Sequence, residues 1–237
     1  MRLVVTRPQA DGERTAAALR ARGHDVLLAP LMRVEPVAAD LSGDWGGVII
    51  TSANAPGAIV GHPACKMLLH LPVFAVGRRG AEAARQAGFT NVASADGVVR
   101  DLARLIAERR PEAAAPLLYL AGEDRAADLV GELVLHGIAA EMAVVYRAVT
   151  APFPPELTAA LKAAEIDAVL HFSKRSAENY IAGAKQAAVT GQALSVRHIC
   201  LSAQIAAPLS EAGASRIAIA SRPDEAALLA SLEQAQG

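Results

Sequence analysis

Hydroxyl, amide and guanidinium side chains recur in this sequence at one kind of place, directly after an apolar run and directly before a helical one. Val48-Ile49-Ile50 leads into Thr51-Ser52-Ala53-Asn54, and Val169-Leu170-His171-Phe172 leads into Ser173-Lys174-Arg175-Ser176. Thr6-Arg7, Gly77-Arg78, Gly122 with Arg125, and Ser202 each follow a comparable run. A strand that ends in a tight turn and opens a helix presents free backbone N–H groups and the positive end of the helix dipole. In parallel α/β sheets ligands sit beyond those carboxyl strand ends. Arginine can hold a carboxylate through two parallel hydrogen bonds, and serine turns add neutral donors. The set predicts an acidic ligand bound in a cleft between domains. The alternative for any one of these residues is an ordinary helix cap or a solvated charge.

The elements that must position these residues alternate along the chain. Strand-like stretches fall at 3–6, 25–29, 72–76, 91–93, 117–120, 197–201 and 216–220, strand-and-turn units at 47–55 and 167–177, and a long extended apolar stretch at 138–149. Helical spacing falls at 9–22, 81–87, 98–109, 124–136, 156–164 and up to about residue 187 after the Ser173 turn, and a last helix follows Ser221 and Pro223. Such alternation predicts an α/β fold with parallel sheets and helices on both faces.

The pattern also repeats. Ser52 and Ser173 fall in register, Val76-Gly77…Ala87-Gly88 aligns with Leu201-Ser202…Ala212-Gly213, and Arg14…Leu19…Gly23 aligns with Asp128…Leu133…Gly137. The last match pairs the opening of the chain with the end of its first long block, so the domains are expected to interleave. Domain 1 is read as 1–33 plus 154–237, domain 2 as 41–142, and 34–40 and 143–153 as linkers forming an antiparallel pair.

Composition narrows the function classes. The chain has 237 residues, with 23 Lys+Arg against 24 Asp+Glu, so no overall positive field attracts nucleic acid or an anionic membrane. Hydrophobic residues make up 53% but aromatics only 3%, which predicts helices packed closely through alanine. Cys65 and Cys200 lie far apart without metal-ligand spacing, and are read as free buried thiols in a reducing compartment, with a disulfide between them as the alternative. The start lacks the apolar region of a signal peptide and no run is long enough to span a bilayer. A cytoplasmic monomer is expected, with no nucleic acid, membrane or metal partner.

Dinucleotide, P-loop and nucleophile-elbow motifs are absent. His171 could act on a ligand or be packed within its strand. Glu123 and Asp124 suit the start of a helix. Tyr146 stands in the second linker, where a protonated phenol could donate a hydrogen bond to a departing hydroxyl, or could simply pack on the ribbon.

Taken together, Val5-Thr6-Arg7-Pro8, Thr51-Ser52-Ala53-Asn54-Ala55, Val76-Gly77 with Ala87-Gly88-Phe89, and Gly122 with Arg125 resemble the uroporphyrinogen-III synthase family. Val145-Tyr146, Phe172-Ser173 through Arg175-Ser176-Ala177, and Ala212-Gly213 to Pro223 extend the resemblance over nearly the whole chain. It implies two flavodoxin-like parallel-sheet domains joined by a two-stranded antiparallel linker. It also implies cyclisation of hydroxymethylbilane, a linear tetrapyrrole polycarboxylate, with loss of water, inversion of the last pyrrole through a spiro intermediate, and no cofactor. Tyr146 matches the family's linker tyrosine and is the candidate catalytic residue. Thr6, Arg7, Ser52, Ala53, Asn54, Gly77, Arg78, Gly122, Arg125, Ser173, Lys174, Arg175, Ser176 and Ser202 are the candidate substrate-binding residues. Two family threonines are replaced, by Gly80 and Ile205. The competing function is a non-catalytic two-domain protein that binds an acidic metabolite.

Overall fold

Short β-branched runs separated by alanine-rich amphipathic segments form strands and covering helices, as the periodicity predicts. The computed structural model describes residues 1–109, 115–124 and 128–233. In chain order they form β1 (Arg2–Val5), α1 (Gln9–Arg20), β2 (Asp25–Leu28), β3 (Met32–Pro36), β4 (Gly47–Ile50), α2 (Asn54–Ala58), α3 (Cys65–Leu68) and β5 (Val73–Ala75). Next come α4 (Arg78–Gln86), β6 (Val92–Ser94), α5 (Val99–Arg109), β7 (Leu117–Gly122), α6 (Leu129–Leu135) and β8 (Ala140–Thr150). The chain ends with α7 (Pro155–Lys162), β9 (Ala168–His171), α8 (Lys174–Gln186), α9 (Thr190–Ser195), β10 (Arg197–Cys200), α10 (Ala203–Glu211), β11 (Ile217–Ile219) and α11 (Glu225–Glu233). The fold is mixed α/β with parallel sheets.

The chain divides into two compact units, Met1–Arg33 with Val149–Gly237, and Val34–Ala148. Unit 1 holds a sheet of order β11-β10-β9-β1-β2, and unit 2 a sheet of order β3-β8-β7-β4-β5-β6. The five strands of unit 1 pair in parallel, as do β4 to β8 of unit 2. Replacing β9, β10, β11, β1 and β2 by β4, β5, β6, β7 and β8 converts one order into the other. The two units therefore share one connectivity opened at different points, and this correspondence is the one carried by the repeated motifs. The helix-stopping glycines agree. Gly88 and Gly213 have φ of 103° and 101°, and Gly23 and Gly137 have φ of 80° and 72°, values that an L side chain rarely adopts.

Each sheet is covered on both faces. In unit 1, Ala16, Leu19, Leu228 and Leu232 of α1 and α11 pack on one face, and Leu157, Ala177, Tyr180, Ala206 and Leu209 of α7, α8 and α10 on the other. In unit 2, Ala55, Leu68 and Ala84 lie on one face and Leu102, Ile106, Leu129 and Leu133 on the other. Small residues set the spacing. A Cβ on Gly80 would lie 3.3 Å from Ile50 Cγ2, so α4 sits nearly against the backbone of β4.

β3 and β8 neighbour one another at the sheet edge. Val37 N–H donates to Val145 O at 2.8 Å and Ala151 N–H to Leu31 O at 3.0 Å. Residue numbers thus rise along one segment as they fall along the other, the register of an antiparallel pair.

Some expected boundaries shift. The helix expected at 124–136 begins at Leu129, where Asp128 accepts from Gly131 N–H at 3.0 Å, so Glu123 and Asp124 do not open it. Residues 125–127 of that span lie outside the described residues. The short helices α3 and α9 carry too few turns for a periodic signal. Among the described residues, no helix is long and apolar enough to cross a membrane.

Candidate functional site

In unit 1 the carboxyl ends of β1, β9 and β10 carry Thr6-Arg7, Ser173 to Ser176, and Ser202. Thr6 is fully buried and its hydroxyl donates to Leu170 O at 2.9 Å, which ties β1 to β9. The Arg7 guanidinium donates to Glu225 Oε2 at 2.8 Å and to Thr15 Oγ1 at 3.0 Å, and lies 3.5 Å from Asp11. Its carbon also sits 4.3 Å from the centre of the Phe172 ring, a stacked cation. Thr6 and Arg7 therefore tie neighbouring elements of this unit together. Glu225, which the sequence suggests only as a first-turn acid, is the partner that holds Arg7. Nothing local in the sequence signals that contact, because 218 residues separate the two.

Ser173 is the N-cap of α8. Its hydroxyl accepts from Ser176 N–H at 3.1 Å and is bonded to Ser176 Oγ at 2.8 Å. Ser176 is itself 2% exposed. Lys174 and Arg175 are exposed on the first turn of α8, with Lys174 Nζ 3.8 Å from Glu178. Ser202 is half-buried ahead of α10 and makes no side-chain capping bond. In the same core, Ile205 is 7% exposed.

Unit 2 has a different rim. Thr51 Oγ1 is 3.0 Å from the Tyr119 hydroxyl, and Ser52 Oγ accepts from Asn54 N–H at 3.2 Å. Ala53 is half-buried and Asn54 exposed. Asn54 and Ala53, with Val34, Pro36, Gly57 and Ala58, line an open hollow of about 270 Å³, apolar but for the amide. Val34 and Pro36 were not among the expected site residues. Gly77 precedes α4 in extended conformation. Arg78 Nε donates to Asp96 Oδ2 at 2.9 Å from a side chain 87% exposed. The Arg78 and Ser94 bonds hold the Asp96 carboxyl below its ordinary pKa, the serine bond contributing most.

Tyr146 lies beside the end of β7. In the pairing of β7 with β8, Ala121 faces Val144 and Gly122 faces Tyr146, so Val145 is an extra residue, a bulge. Glu123 N–H donates to Tyr146 O at 2.9 Å. The half-buried ring packs with the cluster containing Ile50, Leu120 and Val145, and its hydroxyl makes no hydrogen bond among the described residues. The Tyr146 ring thus rests on Gly122. The register Ile50–Leu120 brings Ser52, Gly122 and Tyr146 to one level of the same rim. Arg125, the cation expected after Gly122, lies outside the described residues.

His171 is packed. It is fully buried, with Nε2 3.1 Å from Nδ1 of the equally buried His198, edge-on to Tyr180. Burial, and for His171 also the neighbouring imidazole, lowers both pKa values, that of His198 to about 4. Cys65 and Cys200 are free and buried, and burial pushes the Cys200 thiol up to about 12. Among the described residues no three His, Cys, Asp or Glu side chains are grouped to hold a metal.

Two units of one parallel-sheet connectivity carry hydroxyls and cations at their carboxyl strand ends, with a phenol beside those of unit 2, and the carboxyl strand ends are where ligands sit in parallel α/β sheets. The chain belongs to the uroporphyrinogen-III synthase family, whose model, described as uroporphyrinogen-III synthase HemD, matches residues 13–230. Enzymes of this family cyclise hydroxymethylbilane in heme biosynthesis. Among solved structures, the chain resembles the uroporphyrinogen-III synthetase of Helicobacter pylori at 20% identity and a TM-score of 0.65, covering 99% of each chain. It also aligns with a mutant uroporphyrinogen III synthase from the extremely thermophilic bacterium Thermus thermophilus at 19% identity and a TM-score of 0.48, covering 100% of this chain and 98% of that one. No curated protein sequence matches it.

Proposed function

We propose that this chain closes hydroxymethylbilane to uroporphyrinogen III with Tyr146 assisting departure of the terminal hydroxyl. The supporting observation is the half-buried Tyr146 phenol, held at the carboxyl end of β7 and bonded to no described residue. The phenol donates to the hydroxymethyl oxygen as the C–O bond breaks. The oxygen leaves as water, and the pyrrole nitrogen lone pair stabilises the carbon left behind. After the inverted attack and ring closure, the proton lost from the attacked pyrrole carbon restores the phenol. No strong acid is required, so holding the chain in the fold that favours inversion carries most of the rate.

In this reading the substrate's carboxylates are met by Ser52, Asn54 and the Ala53 and Gly77 amides with Arg78, and by Lys174, Arg175, Ser202 and the Ser173 turn. Thr6, Arg7 and Ser176 shape those turns from beneath. The shared connectivity supports two flavodoxin-like domains, 1–33 plus 154–237 and 41–142. The residues between, 34–40 and 143–153, then serve as antiparallel linkers, supported by the register of Val37 with Val145 and Leu31 with Ala151. The two free buried thiols suit a reducing, cytoplasmic setting.

The test is to supply freshly generated hydroxymethylbilane and measure the ratio of type III to type I uroporphyrin after oxidation. Predominantly type III product is expected. Type I alone, formed at the uncatalysed rate, would reject the reading and leave a binding protein for an acidic metabolite.

A further inference from the structure

We propose that the bare Cα of Gly122 and the bulge at Val145 together aim the Tyr146 hydroxyl, which makes Gly122 a positioning residue; this rests on the role given to Tyr146 above. Side chains alternate between the two faces of a strand. Ala143 and Val145 of β8 pack in the cluster shared with Ile50, Leu118 and Leu120, so strict alternation would send Tyr146 to the opposite face. It packs in the same cluster. The extra residue opposite β7 explains this, since a bulge re-aims the side chain that follows it.

Re-aiming works only if the ring has somewhere to lie. Along β7, Leu118 and Leu120 face that cluster while Leu117, Tyr119 and Ala121 face the other. Residue 122 would be next to place a side chain under the ring. A Cβ there would lie 2.6 Å from Tyr146 Cζ, 2.7 Å from its Oη and 2.8 Å from Cε2, distances that real Cβ atoms do not show. The tyrosine ring thus fills the place of the missing side chain, and the Glu123 to Tyr146 backbone bond keeps the main chain from yielding. A methyl group at 122 must displace the phenol end of the ring, the end that carries the chemistry.

The experiment compares Gly122→Ala, Tyr146→Phe and their combination by steady-state kinetics on hydroxymethylbilane. Misplacement of a reacting group by about 1 Å costs roughly 100-fold in rate, so Gly122→Ala is expected to lower kcat by about that factor with little change in KM. In the Tyr146→Phe background the same substitution should cost nothing further, because both act through one hydroxyl. An undiminished kcat in Gly122→Ala beside an impaired Tyr146→Phe would overturn the positioning role alone, as would additive losses. An undiminished kcat in Tyr146→Phe would overturn the tyrosine's role and this one with it. If Gly122→Ala does not fold, the pair Gly122→Ala with Tyr146→Ala decides: removing the ring should restore folding, and failure to do so would place the defect elsewhere.

Discussion

At the end of β9 the Ser173 hydroxyl is taken up by its own helix, accepting from Ser176 N–H at 3.1 Å, whereas at the end of β7 the Tyr146 hydroxyl is bonded to no described residue. The contrast extends through the units. Among the described residues, the buried Thr6, Thr15, His171, Ser176 and His198 all belong to unit 1, whereas the buried hydroxyl of unit 2 is that of Tyr119, bonded to Thr51. Arg7 of unit 1 has a side chain 14% exposed and tied to three partners, while Arg78 of unit 2 has one 87% exposed. One connectivity thus supports two different rims. In unit 1 the polar groups cross-link the turns, which preorganises backbone N–H groups. In unit 2 the turns are also tied, Thr51 to Tyr119 and Ser52 to Asn54, but the Tyr146 hydroxyl beside them is left out of those bonds.

If that division holds, the largest single effect on turnover should come from unit 2. Tyr146→Phe is expected to lower kcat by roughly 100-fold, the lower range for general acid assistance, while the urea unfolding midpoint stays near that of the parent. Steady-state rates with the midpoint measured on the same preparation would show both. Equal activity would erase the distinction between the rims.

Arg7→Ala should behave in the opposite sense. Loss of charge-assisted bonds to Glu225 and Thr15 is expected to cost about 2 kcal/mol of stability, and turnover should fall only as far as folded protein is lost. Arg78→Ala should leave the midpoint unchanged, since exposed pairs contribute little. Denaturant titrations of the two variants make the comparison direct.

Acid should also separate the units. A histidine whose folded pKa is lowered binds its proton more readily in the unfolded chain, so its contribution is intact above its ordinary 6.5 and is lost as the pH falls toward the folded value, about 4 for His198. Between about pH 7 and about pH 5.5 this amounts to about 1 kcal/mol for His198. Urea unfolding followed at both pH values should show the loss, and His198→Gln should reduce it.

The smallest effects are expected where the family threonines are missing. Ile205→Thr removes apolar contact from the core of unit 1 and should cost about 1–2 kcal/mol. Gly80→Thr must displace Ile50, 3.3 Å from the new Cβ, at a cost of about 1 kcal/mol. Neither should change the type III to type I product ratio. A rise in that ratio would show that the hydroxyls matter and that packing alone does not account for these two replacements.

Much of this was open to inspection in the chain itself. The alternation of apolar runs with alanine-rich helical stretches predicts parallel sheets covered on both faces, and the out-of-step repeat of Arg14…Gly23 with Asp128…Gly137 carries the shifted connectivity. These are local signals of fixed period, so they survive without a structure. The site was less legible. Thr6 and Arg7 have the right types and the right place, yet their partners, Leu170 O and Glu225, are distant in sequence. The start of α6 moved because Asp128, rather than Asp124, caps it.

What the sequence by itself determined is therefore the order of elements, the internal repeat and the ring of polar residues at the strand ends, because propensity, period and capping act over a few neighbours. Only the tertiary structure decided which of those residues remain available. A hydroxyl or guanidinium is equally able to bind a ligand or to tie two strands, and the choice depends on what the fold brings within about 3 Å. The same holds for Gly122 and Tyr146. Their types are visible in the chain, but the ring comes to rest on the glycine only because β8 pairs beside β7 with one residue too many.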